Sequence, residues 1–249
     1  MKLPFAIQQE TEPVLLPIWN ETLAGIEAFL LRTSPVYWGY NIPKGDGSAV
    51  VVTPGFLGTD LYLGEMRNWL SRIGYKPYSS GIGWNADCPR VIMDRLKLTV
   101  DRAHKETGRP AHLIGHSLGG IISRSYAVWQ PESIKSVITM GSPFRGPRAH
   151  PMVLNAIEMV KKKIHAEHGS KVDKDCFSGY CGCGFVAGLQ SLFPETVRQT
   201  CIYTCADGIV DWEFCRSGER DVDVEVSASH VGLAFNPAVY EVIAQRLAV

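Results

Sequence analysis

The chain has 249 residues, 45% hydrophobic and 20% charged, with 25 basic against 25 acidic side chains and a formal net charge of zero. That length and balance suit one globular α/β domain with a sizeable core, and they exclude a disordered or fibrous chain. With no basic patch and no basic, aromatic-rich module, no nucleic-acid partner is expected.

In chain order, the N-terminus shows no secretory pattern. Lys2, Pro4, Glu10, Glu12 and Pro13 leave no continuous apolar core, so a cytoplasmic location is the default expectation unless a leader has been trimmed. "VLLPIWNETLAGIEAFLL" (14–31) is apolar but interrupted by Asn20, Glu21 and Glu27, which predicts an amphipathic helix lying on the domain and not a membrane span. Strands are predicted for "SAVVVTPG" (48–55), "KPYSSG" (76–81), "PAHLIGHS" (110–117), "SVITMGSP" (136–143), "QTCIYTCAD" (199–207) and "DVDVEVSASH" (221–230). Helical spacing appears in "LYLGEMRNWLSRIG" (61–74) and "DCPRVIMDRLKLTVDRAHKETG" (87–108), each stopping at Gly, and in the terminal "PAVYEVIAQRLA". Strands alternating with helices predict a mostly parallel sheet covered on both faces, with its ligand edge at the carboxyl ends of the strands.

Residues 145–198 break that rhythm and show no strand. Val153, Ile157, Val160 and Ile164 form one stripe of an amphipathic helix there, followed by a Gly- and Cys-rich turn and "FVAGLQSLF". An insertion of this length above the strand ends predicts a cap or lid. Lys161–Lys163 read as a solvated helix face; with the lid helix they offer a surface for transient contact with a membrane or lipid interface. No repeat or linker divides the chain, so residues 1–249 read as a single domain.

Seven cysteines, with no C-x-x-C pair, favour neither zinc nor thioredoxin chemistry, and no metal is expected. Cys176, Cys181 and Cys183 lie close together, and a metal there would need His165 or His168 as a fourth ligand. A disulfide could close the loop between Cys205 and Cys215, but pairings among Cys176, Cys181, Cys183, Cys201, Cys205 and Cys215 cannot be read from spacing.

"HLIGHSLGGIISRSYA" (112–127) carries the chemistry. An apolar strand runs through His-Ser between glycines and straight into a helix, so Ser117 is forced onto a tight turn at the carboxyl edge of the sheet, by the positive end of a helix dipole. A serine hydroxyl needs a base. His104 and His112 fall inside elements, His116 points away from Ser117, and His165 and His168 read as solvated residues of the lid. His230, after "DVDVEVSAS" and before the terminal helix, sits on the same edge as Ser117 and is the candidate general base. Asp207, at the end of "TCIYTCA", is preferred as the orienting acid because a strand end is stiffer than a loop; Asp211 is its rival. The backbone N–H groups of Phe56, in "TPGF", and of Leu118 form the candidate oxyanion hole. Leu57, Trp84, Phe144, Val153 and Ile157 are the candidate lining of an apolar substrate cleft.

"PGFLGTD", "GYKPYSSGIGWN", "LIGHSLGGI", "VITMGSPFRG", "YTCADGIVDW" and "SHVGLAFNPAVYEVIAQRL", in that order, resemble the α/β-hydrolase superfamily, specifically its bacterial lipase- and esterase-like members. The resemblance covers about residues 40–249 and implies the α/β-hydrolase fold, with a helical cap. It also implies a cofactor-free serine hydrolase, with the acid at Asp207 and the base at His230, in the chain order Ser-Asp-His of that fold. Two departures stand out: Pro54 replaces the His many relatives carry before the oxyanion glycine, and "CFSGYCGCG" matches no lipase lid. The expected activity is hydrolysis of acyl esters or lipids. Amide or thioester hydrolysis, acyl transfer, or a non-catalytic binding role on the same scaffold are the alternatives.

Overall fold

Each β-branched run bounded by Gly, Pro or Ser becomes a strand of one parallel sheet in the computed structural model, which describes residues 10–176, 178 and 180–249. The elements in chain order are β1 (Glu12–Pro13), α1 (Ala24–Thr33), β2 (Ala49–Thr53), α2 (Gly64–Arg72), β3 (Lys76–Ser79), α3 (Pro89–Thr107), β4 (Ala111–His116), α4 (Leu118–Trp129) and β5 (Ile134–Met140). There follow β6 (Arg148–Ala149), α5 (Pro151–His168), α6 (Gly184–Gln190), β7 (Arg198–Tyr203), β8 (Asp223–Glu225) and α7 (Pro237–Leu247). The sheet order is β3-β2-β4-β5-β7-β8, with every pairing parallel.

Alternation along the strands explains why helices cover both faces. Val51, Leu113 and Val137 point into a core shared with α3 and α4. Val50, Val52, Ile114, Ile138, Met140 and Ile202 point into the opposite core, shared with α2 and α7. A strand buried on both sides reads as a continuous apolar run, as β2 does. The chain leaves β2 for β3 on one side and returns to β4 on the other, so the order reverses between β2 and β4. In open parallel sheets such a reversal opens a crevice at the carboxyl ends of the two strands. Here the crevice lies between the turn after Thr53 and the β4–α4 joint.

Four expectations need correction. The segment 145–198 does contain a strand: β6 pairs in parallel with β1 (Glu12 opposite Arg148), two residues that no periodicity can reveal because their partner comes from the N-terminus. The strand expected over 221–230 is only β8, an edge strand paired on one side alone, and the chain leaves the sheet before His230. The N-terminal helix is a 3₁₀ turn (Ile18–Leu23) running into α1, and it is turned the other way. α1 buries Glu27 and Leu31, while Ile26, Phe29 and Leu30 are exposed, as is Leu23 in the turn before it. Nor are His165 and His168 simply solvated. His165 bonds the main chain at Lys161 and Lys174, and His168 lies 2.9 Å from Asp87.

All seven cysteines are free thiols, Cys205 and Cys215 included. Among the described residues no helix is long and apolar enough to cross a membrane.

Candidate active site

The joint between β4 and α4 holds Ser117 at φ 52° and ψ −125°, a left-handed backbone that costs a non-glycine residue about 1–3 kcal/mol. Three contacts impose it. The Ser117 N–H donates to the carbonyl of Met140 at 2.8 Å, tying the turn to the end of β5. A Cβ on Gly119 would lie 2.3 Å from the carbonyl oxygen of Thr53, so α4 starts hard against β2. A Cβ on Gly115 would meet the backbone of Gly120 at 2.4 Å, so strand and helix touch. The result is a serine at the head of a helix, where the first N–H groups have no intrahelical acceptor.

Asp207 and His230 arrive from loops beyond β7 and β8. Nδ1 of His230 lies 2.7 Å from Oδ2 of Asp207, and both side chains are almost wholly buried, at 4% and 0% exposure. The other Asp207 oxygen accepts from the main-chain N–H groups of Ile209 and Val210, at 2.9 and 2.8 Å, so the carboxylate is fixed at both ends. Burial alone would pull the imidazole down, but the Asp207 charge, its hydrogen bond and the Glu21 charge outweigh it, and His230 stands above the usual histidine value. Asp211, the rival acid, is occupied elsewhere. It accepts from the N–H of Glu213 at 3.1 Å and lies 3.4 Å from the Arg148 guanidinium.

Two cavities meet at Ser117 and Phe56. One, of about 240 Å³, runs beside α5 and α6 and is lined by Phe56, Leu118, Phe144, Val153, Leu154, Ile157 and Phe185. The other, of about 460 Å³, opens toward His230 and is lined by Leu57, Tyr62, Val153 and Val231. Ser117 and His230 therefore face one space. Trp84 lines neither cavity; its indole donates to the carbonyl of Leu57 at 2.7 Å, and Lys163 lies over its ring.

The turn after β2 is braced from behind. The Asn85 amide donates to the Pro54 carbonyl at 2.8 Å, and the Leu57 N–H donates to the Asn85 carbonyl at 3.0 Å. Sequence reading passed over Asn85, because an asparagine in a loop has many uses. It also passed over the work of His116, which donates from Nε2 to the carbonyl of His230 at 2.9 Å. A carbonyl only accepts, so this bond places the His116 proton on Nε2. Burial, with the neighbouring His230, drives this ring down to about 3, so it stays neutral. Its place before the serine is a signal, since a strand residue adjacent to Ser117 points away from it, toward whatever packs behind. Tyr62 adds a hydroxyl to the Val231 carbonyl at 3.2 Å.

A model of the lecithin:cholesterol acyltransferase family matches residues 55–207 of this chain. A triacylglycerol lipase of Burkholderia plantarii is 30% identical over 133 residues, 50% of this chain and 37% of that protein. A triacylglycerol lipase of Pseudarthrobacter phenanthrenivorans is 33% identical over 106 residues, 39% of this chain and 33% of that protein. The chain thus spans about a third of the length of these curated relatives. Among solved structures, a monoacylglycerol lipase of Paleococcus ferrophilus shares the fold, with a TM-score of 0.58 at 16% identity, over 83% of this chain and 96% of that one.

Proposed function

The chain belongs to the lecithin:cholesterol acyltransferase family, within the α/β-hydrolase superfamily, and from that premise we propose that it cleaves carboxylic acyl esters by way of an acyl-enzyme on Ser117. One observation carries the reading: a serine in strained backbone shares a cavity with a buried imidazole whose far nitrogen is held by a carboxylate.

In this reading the ester carbonyl lies over Ser117. Nε2 of His230 takes the hydroxyl proton as Oγ forms its bond to the acyl carbon, and the Asp207 carboxylate stabilises the imidazolium. The N–H groups of Phe56 and Leu118 receive the oxyanion, each worth about 3 kcal/mol in the transition state. The proton returns to the leaving alcohol, and water repeats the sequence to release the acid. The apolar cavity beneath the cap takes the acyl chain, with Phe144, Val153 and Ile157 along it. The names of the relatives, triacylglycerol and monoacylglycerol lipases, point to glyceride-like esters as the substrate class.

Residues 145–198 serve as the cap of a single α/β-hydrolase domain. Met152 and Met159, exposed on α5, would meet a lipid interface. Sedimentation with liposomes tests that contact, and equal pelleting of wild type and of Met152→Ser/Met159→Ser would refute it.

Stoichiometric labelling of Ser117 by a fluorophosphonate, with loss of p-nitrophenyl ester turnover in Ser117→Ala, is the expected result. Unchanged turnover in that variant overturns the proposal. The family description favours one second reading, in which an alcohol in place of water receives the acyl group. Product analysis with a long-chain alcohol present separates the two, since transfer yields a new ester and hydrolysis yields acid.

A further inference from the structure

His230 lies well beyond the sheet. β8 ends at Glu225, and the residues from Val226 to His230 run on outside any strand. Sheet hydrogen bonds therefore do not hold the imidazole in place. Besides Asp207, His116 and Tyr62, the N-terminal segment does so, through two carboxylates that lie about two hundred residues earlier in the chain.

Oε1 of Glu21 accepts from the main-chain N–H groups of Gly208 and His230, both at 3.1 Å, and Oε2 accepts from that of Val231 at 2.8 Å. One carboxylate thus bridges the residue after Asp207 and the residue His230 itself. Glu27 takes the next position along. Its Oε1 accepts from the Ser229 N–H at 3.0 Å and its Oε2 from the Ser229 hydroxyl at 2.6 Å. A Cβ on Gly232 would lie 1.7 Å from Glu27 Oε2, so any side chain there would displace the carboxylate from its place on Ser229. Asn20 closes the set, donating from its amide to the Ala206 carbonyl at 2.8 Å.

The orientation of the N-terminal helix agrees. A surface helix ordinarily buries its apolar stripe and solvates its charges. Here Glu27 is buried, while Trp19, Ile26, Phe29 and Leu30 are each at least half exposed. Burying a carboxylate is costly unless its oxygens are fully hydrogen-bonded, so the carboxylate contacts must set the rotation of this helix.

We propose that Glu21 and Glu27 are positioning residues, which lock the loops carrying Asp207 and His230 together so that the imidazole faces Ser117. The inference rests on the roles proposed above for Ser117, Asp207 and His230. The charges acting on the imidazole are Asp207 after β7 and Glu21 from the N-terminal segment, and the His116 ring at the end of β4 lies 4.8 Å from it; Glu27 and Tyr62 bind the flanking residues, Ser229 and Val231.

Glu21→Gln keeps the shape but turns one acceptor into a donor against an N–H. In full-length protein of unchanged circular dichroism, kcat for a p-nitrophenyl ester should fall about tenfold to a hundredfold, with KM within about twofold, as expected for a misplaced catalytic group. The acid limb of kcat/KM should move to lower pH, since removal of a negative charge weakens proton binding by His230. Glu27→Gln should lower kcat by less and leave that limb in place. Proton NMR of the His230 Nδ1–H, which needs no turnover, should show a sharp downfield signal in the wild type that broadens in Glu21→Gln.

An unchanged kcat, pH limb and NMR signal in folded Glu21→Gln overturns the proposal. So does failure of both variants to fold, because the carboxylates would then be holding the domain and not the site. If Ser117 is never labelled yet the NMR signal still responds to Glu21, the clamp stands and the hydrolase reading falls.

Discussion

The turn that carries Ser117 and the loops that carry Asp207 and His230 are built by different means. The first is local: β4 runs into α4 within one residue, the glycines leave no room for another path, and the neighbouring strands hold the backbone in strain. The second is remote: the loops leave the sheet and are tied by side chains from β4, from the approach to α2 and from the N-terminus. A site of this kind has one partner set by covalent geometry and another set by tertiary contacts. Damage to the first should therefore show as an all-or-none effect, and damage to the second as graded loss.

The largest expected effect tests the local half. Ser117→Gly should abolish ester turnover, a loss on the order of 10⁶-fold. It should also raise stability in urea by about 1 kcal/mol, because glycine occupies φ 52° without strain. A variant no more stable than wild type would show that the strain is not there. On the remote half, Asp207→Asn should lower kcat by about 10⁴-fold, through the wrong His230 tautomer, while leaving the fold intact. Asp211→Asn should change kcat by less than about threefold, since its carboxylate is turned to Arg148. Equal losses in the two would reverse the assignment.

Next in size come the pH effects. His230 is raised, so the acid limb of kcat/KM should lie above pH ~6.5, with activity lost as pH falls through it. Its stability contribution runs the opposite way: complete below the unfolded value, and lost as pH rises through the folded one. His112, buried between strands and driven down to about 3 by that burial, acts in the reverse sense. It should cost up to about 1.4 kcal/mol of stability per pH unit as pH falls below ~6.5, because only the unfolded chain takes the proton. Urea midpoints between pH 7 and pH 5 check this, and His112→Asn should flatten the slope.

The smallest effect concerns α5. Ile157→Ala should raise KM for long acyl esters a few-fold, as expected for roughly 0.8 kcal/mol per lost methylene contact, and leave acetate esters unchanged.

Much of the fold was legible because its signals are local. The inner strands β2, β4 and β5 are short apolar runs with a Pro, Ser or Gly stop, and α3 begins at Pro89 and ends on Gly108 in left-handed geometry, as its sequence foretells. The serine turn was legible for the same reason. Less could be read where two distant segments meet. β1 and β6 are two residues each and exist only because they pair, and the strand expected to deliver His230 stops five residues short. The N-terminal helix misled for a physical reason: periodicity assumes that apolar burial sets rotation, and here buried carboxylates do.

From residues alone came the alternating strands and helices, the parallel sheet with cover on both faces, the strained serine turn, and the short list of acids and imidazoles able to serve it. These follow from steric limits and hydrophobic period, which act over a few residues at a time. Tertiary structure alone decided which carboxylate meets His230, that Trp84 stands outside both cavities, that His116 and Tyr62 hold the histidine loop from below, and that Glu21 and Glu27 turn inward. A hydrogen bond between groups two hundred residues apart leaves no periodic trace, and its partner is chosen only when the chain has folded.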